Sequence, residues 1–140
     1  MTEDTPRQCH PALLAALCLF AALPAAAAGW QRVAGNENVT LYIDPASLER
    51  KGERARLKNL IDFKAPQTDR SIGGKPYRSR QEVREYDCRD PRYRLTWFSL
   101  RDGPMFAGAL VRSQADDGAW SPVAPGSLGE ALWRRACGGK

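Results

Sequence analysis

Apolar and polar residues alternate through Asn38–Asp44 (NVTLYID), with Val39, Leu41 and Ile43 opposing Thr40, Tyr42 and Asp44. A repeat of two marks a half-buried strand. It returns in Arg54–Phe63 (RARLKNLIDF), where Ala55, Leu57, Ile61 and Phe63 oppose Arg54, Arg56, Lys58 and Asp62. One apolar face and one charged face predict a half-buried strand of an antiparallel sheet. Pro45 and Gly52 punctuate the turn between the two segments. Tyr93–Leu100 (YRLTWFSL) and Ala107–Gln114 (AGALVRSQ) predict two further strands. Tyr77–Cys88 (YRSRQEVREYDC) is extended in character but polar on both faces, which predicts an exposed or edge strand.

The repeat changes after Ser127. Leu128, Gly129, Leu132, Trp133, Ala136 and Cys137 recur at helical spacing, with Glu130, Ala131, Arg134 and Arg135 on the opposite side. Ser127 and Glu130 form a capping-box pair, and Gly138 is placed for a C-cap. Arg134 and Arg135 fall in the last turn, where the helix dipole favours cations. A helix of about ten residues is marginal alone in water. Its apolar face therefore has to lie on the sheet. Val39, Leu41, Ile43, Leu57, Ile61, Phe63, Leu95, Trp97, Val111, Leu128, Leu132 and Trp133 are the expected core.

At the other end, Pro11–Ala28 is an apolar run closed by Ala26-Ala27-Ala28. This is the pattern of a secretory signal cut before Gly29. An uncleaved anchor or a buried helix are the alternatives, although the run falls short of a membrane span and Pro24 interrupts it. Cys18 follows Leu17 rather than a small residue, so it does not make a lipidation signal. Residues 29–140 are then one mature domain with no stable membrane span. Loss of the signal removes Arg7, Glu3 and Asp4, and raises the net charge from +5 to +6.

Removing the signal also decides the chemistry. Cys9, Cys18 and His10, the chain's one histidine, leave with it. Cys88 and Cys137 remain, and two cysteines in an oxidising compartment most simply form one disulfide. It would latch the helix to the end of a strand. Without histidine, Ser-His-Asp, Cys-His and His-metal chemistries are excluded. PGSLG at Pro125–Gly129 is not a nucleophile elbow, and GGKP at Gly73–Pro76 is not a phosphate-binding loop. Asp87 and Glu85 are the nearest carboxylate pair for sugar hydrolysis, but charged strand residues are usually solvated. ADDG at Ala115–Gly118 reads as a turn rather than a calcium loop. The expectation is a protein that is not an enzyme and carries no metal or cofactor.

The order of segments resembles a known family. Trp30 is followed by LYIDPASLERKG, LKNLIDFKAP, YRSRQEVREYDC, GPMFAGALV, WSPVAPGS and a cysteine-bearing C-terminal helix. This resembles the surface-adhesin protein E-like domain of Gram-negative bacteria, over residues 29–140. The resemblance implies an α+β fold, a curved antiparallel sheet of about six strands with a C-terminal helix tethered by a disulfide. It also implies an exported envelope module that binds host extracellular-matrix or serum proteins. The alternative is a periplasmic structural or assembly factor.

The binding residues expected from the sequence are Arg78, Arg80 and Arg84 with Tyr77 and Tyr86, on the polar strand. Arginine forks bind carboxylate and sulfate groups, and tyrosines add contact area. The expected partner is a protein or an anionic polymer. Nucleic acid does not suit an exported chain, despite a pI near 9.3, and a homodimer is compatible with the sequence. Trp97 and Trp133 lining a cleft between sheet and helix is the alternative location for a ligand.

Overall fold

A computed structural model describes residues 29–138. The expected signal peptide, Cys9, His10 and Cys18 lie outside the described residues. Eight strands form one antiparallel sheet: β1 (Gln31–Gly35), β2 (Val39–Ile43), β3 (Glu49–Lys51), β4 (Arg54–Gln67), β5 (Tyr77–Asp87), β6 (Arg92–Arg101), β7 (Leu110–Ala115) and β8 (Ser121–Pro122). The main order is β1-β2-β4-β5-β6-β7. The short β3 pairs with the start of β4, and β8 with the start of β6. Among the described residues one α-helix, α1 (Leu128–Cys137), follows β8. Bulges interrupt the β1–β2, β5–β6 and β6–β7 pairings, and each bends its strand and increases the local twist.

The polar segment Tyr77–Asp87 is not at an edge. It is β5, paired along its length with β4 on one side and β6 on the other. That corrects the expected edge strand. Its polarity has a different cause, which the register shows. Arg80, Glu82, Arg84 and Tyr86 stand opposite Ile61, Asn59, Leu57 and Ala55 of β4. Directly opposed residues share a face, so these side chains lie on the same side as the apolar residues of β4, the side that α1 covers.

The helix begins and ends where its capping residues place it. Ser127 Oγ accepts from the Glu130 N–H at 3.2 Å, and Glu130 reaches back to the Gly126 N–H, one residue before the cap. Gly138 takes the left-handed conformation (φ 77°) that ends the helix at little cost. Three ties hold α1 to the sheet. Cys88 and Cys137 form a disulfide. Trp133 Nε1 donates to Asp87 O at 2.9 Å. Arg50, on β3, donates from Nε to Ala136 O at 2.8 Å, satisfying a carbonyl that the helix end leaves free.

The core divides in two. Under α1, Leu41, Ile43, Ala55, Leu57, Tyr86, Val123, Leu132, Trp133 and Ala136 pack together. A smaller cluster of Tyr77, Phe98 and Leu100 gathers Phe63, Ile72, Leu95 and Val111. Leu41, Ile43, Leu57, Leu132 and Trp133 are buried as expected; Val39, Ile61, Phe63, Leu95, Trp97, Val111 and Leu128 are half-buried. An open sheet with one short helix cannot enclose every apolar residue, and those at its margins stay partly wet.

Candidate functional site

Arginines sit on both faces of the sheet, in two different settings. On the covered face, Glu82 is 2% exposed and lies between two of them. Its Oε2 accepts from Arg84 Nε at 2.7 Å and from Asn59 Nδ2 at 3.2 Å. Arg80 Nε lies 2.6 Å from Oε1, which is ion-pair range, yet its buried N–H makes no hydrogen bond. Each guanidinium has a ring beneath it: Arg84 over Tyr93 at 4.5 Å and Arg80 over Phe98 at 4.7 Å. Burial pushes the Glu82 carboxyl up, but the charges of Arg84 and Arg80 and the bonds from Arg84 and Asn59 outweigh it and hold the group below the ordinary range. The Tyr86 hydroxyl, fully buried, is pushed well above its ordinary value, chiefly by desolvation and against the opposing charge of Arg84.

On the other face, Trp120 is half-buried among Arg54, Arg92 and Arg94, whose guanidinium carbons lie 4.4, 5.1 and 5.1 Å from its ring centre. Cations near an indole face are attracted by its quadrupole. Arg92 forks onto Asp87 Oδ2 at 3.0 and 2.9 Å, and Arg94 Nη2 donates to Glu85 at 2.9 Å. Burial pushes Asp87 up, but the Asp90 and Arg89 backbone N–H groups, Arg92 and Arg54 together hold it below the ordinary carboxylate range. Register places Lys51, Arg54, Arg56, Lys58, Arg92, Arg94 and Arg101 on this face, where they outnumber Glu49, Asp62, Glu85 and Asp87. At the far end of the same face the turn Pro104–Phe106 folds over the sheet, its Met105 and Phe106 N–H groups donating to Asp62 and Ser79 at 2.8 and 2.9 Å.

The residues 30–138 match the family model described as Surface-adhesin protein E. The chain belongs to the surface-adhesin protein E family. Two solved structures of that family's namesake share the fold. One crystal form of Haemophilus influenzae protein E has a TM-score of 0.59 at 14% identity, covering 80% of this chain and 89% of that one. Protein E from non-typeable Haemophilus influenzae has a TM-score of 0.55 at 13% identity, covering 83% of this chain and 80% of that one. No curated protein matches the chain. Membership in the protein E family marks this chain as an adhesin-like module.

Within this family member, the residues expected from the sequence are distributed as follows. Arg80 and Arg84 come together on Glu82. Arg78 is half-buried and its Nε donates to Phe63 O at 3.0 Å. Tyr77 and Tyr86 are buried, one in each apolar cluster, so neither offers contact area to a partner. The Trp97–Trp133 cleft does not form. Trp97 stands opposite Val83 and Ala115 on the uncovered face, whereas Trp133, on α1, packs against the other. Asp87 and Glu85 are engaged by arginines rather than set for sugar chemistry. Trp120 and its arginines were missed as a group because β4, β6 and the segment before β8 are far apart in sequence. The alternating charges Arg54, Arg56 and Lys58 were the one signal pointing to this face.

Proposed function

We propose that the protein is an exported, adhesin-like envelope module that captures an acidic protein or anionic polymer, host matrix and serum proteins included. The excess of cations on the sheet face opposite α1 carries this reading, because a face with net positive charge attracts and orients anionic partners. Trp120, held among three of those arginines, adds a rigid aromatic of the kind that anchors interfaces. The disulfide fits export to an oxidising compartment. The signal is cut between Ala28 and Gly29, so intact-mass spectrometry of exported protein should find a chain beginning at Gly29.

The test uses heparin and purified matrix and serum proteins as immobilised partners. Capture should weaken with salt and fall with the combined Arg54→Gln, Arg56→Gln and Lys58→Gln substitutions. Retention of full capture by the triple variant at high salt would overturn the cationic-face reading. Capture of envelope components alone, with every host protein ignored, would favour a periplasmic assembly role.

A further inference from the structure

The covered face holds a second feature that the cationic face does not explain. On the covered face, Arg80, Glu82, Arg84, Tyr93 and Leu95 line a cleft of about 310 Å³. Its remaining wall is the segment before β8, with Asp116, Gly118 and Ala119, and Ser121 at the start of β8. The volume lies at the small end of ligand pockets, enough for the end of a chain or a single side chain.

The arginines are built into this cleft rather than draped over it. Their side chains are 26% and 13% exposed, and that of Glu82 3%. Glu82 accepts from Arg84 Nε and sits in ion-pair range of Arg80 Nε, and Tyr93 and Phe98 lie against the two guanidiniums. Among the described residues the Nη groups of both make no hydrogen bond by distance and angle, although the buried Tyr86 hydroxyl lies close to Arg84. A guanidinium paired to a buried carboxylate and lying over a ring has already lost much of its rotamer freedom, so a ligand has little ordering cost to meet.

Charge restricts the ligand further. Arg80, Glu82 and Arg84 together carry one positive charge. Asp116 adds a carboxylate to the wall, with no ion pair among the described residues. A polyanion such as a sulfated polymer would bring many charges towards two resident carboxylates. A single carboxylate beside an N–H donor fits better: the anion meets the Nη groups and Asp116 accepts from the donor. A polypeptide presents that combination at its C-terminus, or at an aspartate or glutamate side chain next to the backbone. The geometry points to a carboxylate-binding cleft at Arg80 and Arg84 that takes one acidic group of a partner polypeptide.

The experiment titrates the disulfide-bonded protein with three N-acetylated tripeptides, read by nuclear magnetic resonance at the arginine Nε–H groups and the amides of Val83, Thr96 and Gly118. One is trialanine with a free C-terminus, one its C-terminal amide, and one an amide with a central glutamate. Saturable shifts with the free acid and not with its amide establish chain-terminus recognition. Shifts with the glutamate peptide establish side-chain recognition; either result supports the cleft. Arg84→Lys keeps the charge but loses the fork, and should weaken binding at least about tenfold, or 1.4 kcal/mol. Ala119→Phe fills the cleft from an exposed position without replacing any member of the ion cluster, and should abolish binding while the melting temperature holds. No saturable shift with either acid at millimolar concentration overturns the proposal. So does binding unchanged in Ala119→Phe, or inorganic sulfate binding more tightly than both peptides. None of these readouts involves the cationic face, so the two readings can fail separately.

Discussion

Glu82 and Glu85 lie three residues apart on β5 and both pair with arginine, yet they face opposite sides of the sheet. Glu82 is almost fully buried, bridges Arg80 and Arg84, and accepts from a buried asparagine. Glu85 meets Arg94 alone, with side-chain exposures of 26% and 38%. The first set lies between two apolar clusters; the second is partly open to water. An ion pair's energetic role follows its surroundings more than its distance, because removing one partner of a buried set strands the other charges. At the surface, water replaces the lost partner.

The sharpest way to break this comparison is to delete both acids in turn. Glu82→Ala leaves two largely buried guanidiniums without their carboxylate and should cost about 3–5 kcal/mol in urea unfolding. Glu85→Ala should cost about 1 kcal/mol or less. Equal costs would mean that water reaches the Glu82 cluster freely.

The latch on the covered face comes next in size. Cys137→Ser should lower stability by about 2–4 kcal/mol, since the disulfide restricts the unfolded chain across a separation of 49 residues. Cys88→Ser should match it. A loss in one variant only would locate the effect in local packing rather than in the cross-link.

Acid titrates a carboxylate on each face. Glu82 and Asp87 both have folded values below the ordinary carboxylate range. Their contribution is therefore present above the unfolded value and is lost as pH falls through the folded one. The melting temperature should hold towards acid and then drop below about pH 4. In Glu82→Gln that acid-dependent drop should shrink. A wild-type curve already falling between about pH 7 and 5 would contradict an ionised Glu82.

The smallest effects belong to the uncovered face. Trp120→Ala removes three cation–aromatic contacts and should cost about 1–2 kcal/mol. The Arg56→Gln and Lys58→Gln substitutions should change stability by about 0.5 kcal/mol or less each, while reducing capture of anionic partners. A large loss of stability from either would make them structural rather than available for binding.

Much of the architecture was legible along the chain. Ser127, Glu130 and Gly138 act through neighbours in sequence, so the helix bounds could be read directly. The alternation of Val39, Leu41 and Ile43, and of Ala55 and Leu57, reports which face of a strand is dry. The two cysteines left after the expected signal allow one intramolecular pairing, and it is the one formed. The segment order was also enough to show the protein E family resemblance.

The position of β5 was not legible, for a reason that lies in pairing. Polar residues on both faces of a strand are ambiguous between solvent and a buried ion cluster. Only the register that sets Glu82 opposite Asn59 and Phe98 tells which applies. Trp120 reaches its three arginines from a distant segment, and the bulge between Val83 and Arg84 sends Leu95 to one face and Trp97 to the other. Local interactions follow from adjacent residues and were determined by the sequence alone. Face, burial and the company each arginine keeps depend on contacts between distant strands, and those were decided by the tertiary structure.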